Sequence, residues 1–198
     1  MKRSRWLLVW GLVVVFLIAG RIVSGPSWTR AIVHAQSGRD AKEIVPYVPT
    51  PYEVVEKMLE MAQVKKGDVV YDLGSGDGRI VIAAVKKYGV RAVGFEINPE
   101  RVKLSRELIK KEGLTKLAEI RDQDIMTVDL SGATVLTMYL LPEVNLQLRP
   151  NIQKQMKPGS RIVSHDFDMG DWKPERTEKI KDSSGWDHTL YLWRLPSK

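Results

Sequence analysis

The stretch that decides the fold is residues 69–79, VVYDLGSGDGR. Its first five residues are rich in β-branched and apolar side chains, which favours a strand, and three closely spaced glycines then predict a tight loop. After Arg79 an apolar run at 80–85 predicts a helix that ends before Gly89. A strand, a glycine loop and a helix are therefore expected in direct succession.

Strand and helix alternate along the rest of the chain. Short runs bounded by turn residues predict strands at 69–73, 91–96, 117–121, 134–140 and 161–164. Helical signals predict helices at 51–62, 79–88, 99–113 and around 144–152. Two final runs predict a hairpin, at 176–181 and 188–195. This order predicts an α/β fold: a Rossmann-like, doubly wound, mostly parallel sheet with a C-terminal antiparallel hairpin.

Two details of the helices are specific predictions. Thr50 is followed by Pro51 and, three residues on, by Glu53, which is the pattern of a capping box with proline at the first helical position. Pro150 falls within the fourth helical stretch, and we expect it to kink or split that helix.

A separate apolar segment precedes this domain. Three basic residues come before an apolar run at 6–20, and with Arg21 snorkelling the run reaches Val23. As a helix it would span roughly 27 Å, near the thickness of a bilayer interior. We expect an N-terminal hydrophobic helix that is a membrane anchor or, alternatively, a cleaved signal segment. The expected organisation is an anchor or signal at 1–23, a linker at 24–44 and a folded domain at 45–198.

Composition excludes several kinds of site. The chain has 198 residues with no cysteine and three histidines, which rules out disulfides, thiolate metal sites and cysteine nucleophiles, and we expect no metal. Its formal net charge is +7, but most of the excess lies in residues 1–44. A nucleic-acid binder normally carries a concentrated basic stripe on its folded body, so we expect no nucleic-acid partner.

Carboxylates around the glycine loop indicate its ligand. Asp72 and Asp77 flank the first glycines, and Glu96 ends the second strand, where an acidic side chain can hold ribose hydroxyls. A dinucleotide pyrophosphate would be repelled, because like charges about 4 Å apart cost around 4 kcal/mol at an effective dielectric near 20. S-adenosyl-L-methionine carries an ammonium and a sulfonium and no phosphate. We therefore expect it as the cofactor.

These segments resemble the class I S-adenosylmethionine-dependent methyltransferases. Residues 72–79 are similar to their motif I, residues 94–99 to the following acidic motif, and residues 123–125 to the segment whose carboxylate contacts the adenine amino group. The resemblance implies that the cofactor is held by seven residues: Asp72, Gly74, Ser75, Gly76, Gly78, Glu96 and Asp124.

Other segments resemble a narrower group. Residues 46–51, PYVPTP, are similar to the small mitochondrial lysine methyltransferases that modify the c subunit of ATP synthase and the adenine nucleotide translocase. Residues 142–148 and 158–164 resemble non-SET histone lysine methyltransferases. The Asn/Asp-Pro-Pro-Tyr signature of amide and adenine N-methyltransferases is missing at 138–142, MYLLP. The resemblance implies a protein-lysine N-methyltransferase. Its partner would be a protein with an accessible lysine, and a membrane-embedded protein is one possibility.

Two tyrosines are the candidate catalytic residues. Tyr139 ends the fourth strand and Tyr47 precedes the first helix, and an aromatic face favours an ammonium-like group. The alternative for each is ordinary half-buried packing. His165 and Asp166 follow the fifth strand and are candidates for proton transfer, the alternative being a solvated strand end.

Three other functions stay open: methylation of a lipid or small molecule, a nicotinamide oxidoreductase, and a non-catalytic nucleotide-cofactor binding module. Because S-adenosylmethionine is made inside cells, we expect a single-pass membrane protein with its catalytic domain on the cytoplasmic side, rather than a secreted, cleaved form.

Overall fold

The computed structural model describes residues 47–197. This part of the chain holds a seven-stranded sheet with the order β3-β2-β1-β4-β5-β7-β6. Its strands are β1 (Val69–Leu73), β2 (Arg91–Glu96), β3 (Ala118–Asp122), β4 (Val135–Met138), β5 (Arg161–His165), β6 (Arg176–Lys181) and β7 (Asp187–Arg194). The first five strands are parallel, and β7 runs antiparallel to both β5 and β6. The predicted mostly parallel sheet with a C-terminal hairpin is confirmed.

Within residues 47–197, four α-helices cover the two faces of this sheet. They are α1 (Tyr52–Met61), α2 (Arg79–Tyr88), α3 (Pro99–Lys111) and α4 (Pro142–Gln155). Successive residues of β1 point to opposite faces, so that Val70 packs in the core with the first three helices and Tyr71 in the core with α4. Two apolar cores thus fix β1 from both sides and hold the loop that follows it.

The sequence pattern predicts that Thr50 caps α1, but in the structure it does not. The N-cap position belongs to Pro51, and no side chain there accepts a hydrogen bond from the first turn. The hydroxyl of Thr50 lies instead 3.2 Å from Nδ1 of His165, at the end of β5. A long-range partner has replaced the local one.

Pro150 does not split α4. The helix runs through it from Pro142 to Gln155. Val144, Leu148 and Ile152 are all buried against the sheet on both sides of the proline. Their burial offsets the one backbone hydrogen bond that Pro150 cannot donate.

The predicted localisation, a single-pass membrane protein facing the cytoplasm, is wrong by this structure. Among residues 47–197 no helix is long and apolar enough to cross a membrane. The longest helix described there, α4, has 14 residues. Such a helix spans about 21 Å, short of a hydrocarbon core of roughly 30 Å. The hydrophobic helix predicted within 1–23 and the linker predicted at 24–44 lie outside the described residues.

Candidate active site

A cavity of about 240 Å³ opens at the carboxyl ends of the central strands. In open α/β sheets this edge is where ligands bind. Eight of the nine residues predicted for the site line it: Tyr47, Asp72, Gly74, Ser75, Gly76, Glu96, Asp124 and Tyr139. Gly78 is not among the lining residues and is the N-cap of α2.

The loop between β1 and α2 is shaped by glycines in the left-handed region. Gly74, Gly76 and Gly78 have φ angles of 73°, 54° and 80°. A Cβ atom at Gly76 would lie 2.5 Å from Cε2 of Tyr47, and one at Gly78 would lie 3.1 Å from Cβ of Ser105. Gly76 therefore lets an aromatic ring rest on the loop, whereas Gly78 allows α2 to approach α3.

Asp72 is the buried acid of the site, with 3% of its surface exposed. Its Oδ1 accepts a hydrogen bond of 2.8 Å from the hydroxyl of Thr137 on β4. Burial raises the pKa of Asp72 to about 7, and the negative charges of Asp77 and Glu96 add to the rise, against the lowering effect of the Thr137 bond. A cationic group bound in the cavity would favour its ionised form.

Glu96 is held at the end of β2 by backbone donors. Its Oε2 accepts from the N–H of Gly76 at 2.9 Å, and its Oε1 accepts from the N–H groups of Ile97 and Asn98 at 2.9 and 2.8 Å. Nε of Arg101 lies 3.4 Å from Oε2. A carboxylate has about four acceptor positions, so the three backbone bonds fix this one in place and leave one position on Oε2, beside Arg101.

The sequence position of Asp77 predicts a free negative charge at the cavity, but in the structure this charge is paired. Nε of Arg79 donates to its Oδ1 at 2.9 Å and Nη2 to its Oδ2 at 2.6 Å. Burial raises the pKa of Asp77, but the Arg79 bonds and charge outweigh burial and leave that pKa below its ordinary value. The negative charge at the cavity therefore comes from Asp72 and Glu96 more than from Asp77.

Residues 47–50, here called the strap, lie against the glycine loop. The ring of Tyr47 contacts Gly76, its hydroxyl bonds to Asp77, and the Arg101 guanidinium lies 4.9 Å from the ring centroid. Nη1 of Arg79 donates to the carbonyl of Thr50 at 2.7 Å. Sequence reasoning missed the contacts of both arginines with the strap, because Arg79 and Arg101 are distant from it in the chain.

Tyr139 belongs to a different group of contacts, just after β4. Its ring centroid lies 3.9 Å from that of His165 and 6.2 Å from that of Phe167. Burial raises the pKa of its hydroxyl, and the charge of Asp166 and a hydrogen bond to that carboxylate raise it further. An aromatic wall thus closes one part of the cavity lining.

Asp124 lines the cavity from the segment after β3. Its Oδ1 accepts from the N–H of Met126 at 2.9 Å and caps the short 3₁₀ turn Ile125–Thr127. The side chain is exposed, and its position at the rim leaves the carboxylate accessible to a ligand.

Comparison with known proteins places the chain in a family. The family described as the ANTKMT methyltransferase domain matches residues 72–176, more than half of the chain. The chain belongs to this methyltransferase family. A protein-lysine N-methyltransferase of Saccharolobus islandicus is 49% identical over 150 residues, which are 75% of this chain and 92% of that protein. The Homo sapiens lysine N-methyltransferase named for the C subunit of ATP synthase is 33% identical over 195 residues, 98% of this chain and 79% of that protein.

A solved structure links the methyltransferase to its cofactor. The crystal structure of an RNA methyltransferase from Salinibacter ruber in complex with S-adenosyl-L-homocysteine has a TM-score of 0.71 and 52% sequence identity, over 76% of this chain and 95% of that one. S-adenosylhomocysteine is what S-adenosylmethionine becomes when its methyl group leaves. The chain is an S-adenosylmethionine-dependent methyltransferase, as the charges of the loop predicted, and the nicotinamide oxidoreductase and the non-catalytic module are set aside.

Proposed function

We propose that this methyltransferase transfers a methyl group to the side-chain amine of lysine in a protein. The observation that supports it is one cavity whose lining joins the acidic glycine loop to the ring of Tyr139. The relatives at 49% and 33% identity, both named as lysine N-methyltransferases, favour the same acceptor.

The cofactor would be held by groups that match its charges. Asp72 faces the end of the loop where a methionine ammonium gains most from a buried carboxylate. Glu96, fixed by its backbone donors, would accept from the ribose hydroxyls, and Asp124 at the rim would accept from the adenine amino group. Gly74, Ser75 and Gly76 would let the ligand approach the backbone closely, while Gly78 would act through the packing of α2.

The reaction moves one positive charge from sulfur to nitrogen. The lone pair of a neutral lysine amine forms the new N–C bond while the C–S bond breaks, and the electrons of that bond return to sulfur as a neutral thioether. The product is a methylammonium, so no other reactant is required. The protein contributes alignment and exclusion of water rather than covalent chemistry.

Tyr139 would face the acceptor side. Its ring is fixed against His165 and Phe167, and an aromatic face stabilises the ammonium-like charge that develops on nitrogen. Tyr47 lies on the glycine loop and would act from the cofactor side, by holding the strap over the cavity. We place the methyltransferase domain at 45–198, with 24–44 as its linker.

A second acceptor, RNA, is favoured by the similarity to the Salinibacter ruber protein, which is named an RNA methyltransferase. Two sequence features favour protein: the basic excess lies mostly in 1–44, and the signature of adenine N-methyltransferases is missing at 138–142. A partner protein with an accessible lysine is therefore the acceptor that we propose.

The test is to trace the methyl group. The purified full chain is incubated with tritiated S-adenosylmethionine and an extract from cells that lack it. We expect the label to survive ribonuclease, to be released by protease and to appear as methyllysine after acid hydrolysis. Label lost to ribonuclease, or extracted into organic solvent, would overturn the lysine assignment in favour of RNA or of a lipid.

A variant pair tests the role of Tyr139 in the same assay. We expect Tyr139→Ala to lower methyl transfer by about 5- to 30-fold, the range of a lost cation–π contact. Its Kd for S-adenosylmethionine should stay within about twofold, because the cofactor contacts are elsewhere. Tyr88→Ala, at the end of α2 and outside the cavity lining, is the control. Equal losses in the two variants would remove Tyr139 from the mechanism.

A further inference from the structure

Three side chains outside the cavity lining converge where the hairpin joins the parallel sheet. His165 ends β5, Asp166 follows it, and His188 lies on β7. Nε2 of His165 lies 2.9 Å from Nδ1 of His188. Oδ2 of Asp166 lies 3.3 Å from the first nitrogen and 3.5 Å from the second. Two imidazoles and a carboxylate therefore present one ligand atom each to a common point.

We propose that His165, Asp166 and His188 form a binding site for a divalent transition-metal ion of the zinc class. Tetrahedral ligands at 2.0–2.1 Å from a zinc ion lie about 3.3 Å from one another. The three observed separations are close to that value, and a point about 2.0–2.1 Å from all three atoms lies just above their plane. No large rearrangement is needed to admit an ion.

The groups behind the three ligands have the arrangement found around metal sites. Nδ1 of His165 is 3.2 Å from the hydroxyl of Thr50, and Nε2 of His188 is 3.4 Å from Oδ2 of Asp182. A partner on the second ring nitrogen fixes the tautomer and orientation of a ligating histidine. His165 has such a hydrogen-bonding partner in Thr50, whereas Nε2 of His188 lies at ion-pair distance from Asp182 without a hydrogen bond. In each ring the other nitrogen is the one that lies near Asp166.

Asp166 is held in place by an uncommon backbone conformation. Its φ angle is +60°, in the left-handed region that most side chains avoid. Its backbone N–H donates to the carbonyl of Thr189 at 2.7 Å, and its Oδ1 accepts from the N–H of Thr189 at 2.8 Å. These bonds occupy Oδ1 and leave Oδ2 beside the two histidines, while the Tyr139 hydroxyl also bonds to this carboxylate.

The donor set selects the ion. Two imidazoles and one carboxylate suit zinc, cobalt, nickel or copper, and are too few oxygens for calcium or magnesium. Because His165 and His188 belong to different strands, an ion between them would tie β7 to β5 beside Tyr139. None of the three ligands lines the active-site cavity, so we assign the ion a structural place and no step of methyl transfer.

Metal binding is tested on the untagged full chain, freed of metal with a chelator and titrated with cobalt(II) and then zinc(II). We expect one equivalent of cobalt per chain, with the strong visible absorption of low-coordinate cobalt, and its displacement by zinc. At a zinc concentration about 100 times its Kd, Tm should rise by roughly 5–10 °C. Neither readout depends on methyl transfer, so failure here leaves the proposed lysine acceptor untouched.

Matched variants locate the site. We expect Asp166→Asn and His188→Gln each to weaken cobalt binding by more than about 100-fold. Asparagine tolerates positive φ, so Asp166→Asn retains the fold even if His188→Gln does not. The control is His34→Gln, which changes the third histidine of the chain and should leave binding as it was. A chain that takes up no cobalt below millimolar concentration, or whose cobalt binding survives Asp166→Asn, overturns the proposal and leaves a hydrogen-bonded triad only.

Discussion

At the scale of single residues, Asp72 lowers the free energy of unfolding when it is ionised, and in our proposal it also contributes to cofactor binding. Its pKa in the folded chain is about 7, against 3.8 for an unburied aspartate, because burial disfavours its charge. Between these two values the folded state binds more protons than the unfolded state. The free energy of unfolding therefore falls as pH rises from about 4 to about 7. In our proposal the same buried carboxylate attracts the cationic cofactor.

Replacing Asp72 should separate the two effects. At pH 8 we expect Asp72→Asn to raise the free energy of unfolding of the cofactor-free chain by on the order of 1–3 kcal/mol, with a smaller gain at pH 5. Its Kd for S-adenosylmethionine should rise by about 10- to 100-fold, because the compensating charge is gone. Urea unfolding and titration calorimetry measure the two quantities, with the exposed Asp122→Asn as control. A variant that is less stable at pH 8 would contradict this account.

Gly76 should tolerate no side chain, for two reasons that a control can separate. Its φ of 54° is strained for alanine, and a Cβ would meet the ring of Tyr47 at 2.5 Å. Gly89 has a φ of 63° with nothing within 4 Å of the added Cβ, so Gly89→Ala carries the backbone strain alone.

We expect both alanine variants to lose about 1 kcal/mol of stability from backbone strain, and Gly76→Ala to lose more and to bind S-adenosylmethionine less tightly. Adding Tyr47→Ala to Gly76→Ala should restore part of the stability. Urea unfolding of the unchanged chain, Gly76→Ala, Tyr47→Ala and the double variant forms a double-mutant cycle, with Gly89→Ala as the control for backbone strain. Strictly additive losses would show that the ring does not rest on the loop.

At the scale of elements, local signals predicted the segments well and their partners poorly. β1, α2 and β2 were predicted to the residue, because β-branched runs and bounding glycines are local features. Thr50 was predicted as a cap and is a partner of His165, since nothing in the nearby sequence reports a residue so far along the chain. For the same reason the sequence did not predict that Arg79 bonds to the strap, or that His188 lies beside His165 and Asp166.

The strap should depend on Arg79, which joins it to the loop. The guanidinium bonds to both oxygens of Asp77 and to the carbonyl of Thr50, and a lysine ammonium cannot reproduce that planar geometry. We expect Arg79→Lys to speed release of S-adenosylmethionine by about 5- to 20-fold, equivalent to one or two hydrogen bonds. Stopped-flow fluorescence measures the rate, with Arg91→Lys, in an exposed ion pair, as control. Unchanged release would mean that the strap does not retain the cofactor.

At the scale of the whole molecule, the two cores make the site part of the folding unit. β1 is buried from both faces, and the loop that leaves it carries the acids of the cavity. The predicted sheet placed these acids together because parallel strands end at one edge. It did not reveal that Arg79 neutralises Asp77, so the negative charges that we propose for cofactor binding are those of Asp72 and Glu96.

Because the cofactor that we propose beside Asp72 is a cation, its binding should ionise Asp72, and the stabilisation of the molecule by the cofactor should depend on pH. An apo pKa of about 7 leaves most chains protonated at pH 6 and most ionised at pH 7.5. Affinity for S-adenosylmethionine should therefore rise by roughly five- to tenfold over this interval, and at a fixed saturating concentration the increase in Tm should be larger by about 2–5 °C at pH 7.5. Differential scanning fluorimetry of the chain and of Asp72→Asn measures it. Since asparagine has no proton to lose, the variant should show the same increment at both pH values, and a pH dependence that persists there would assign the proton to another group.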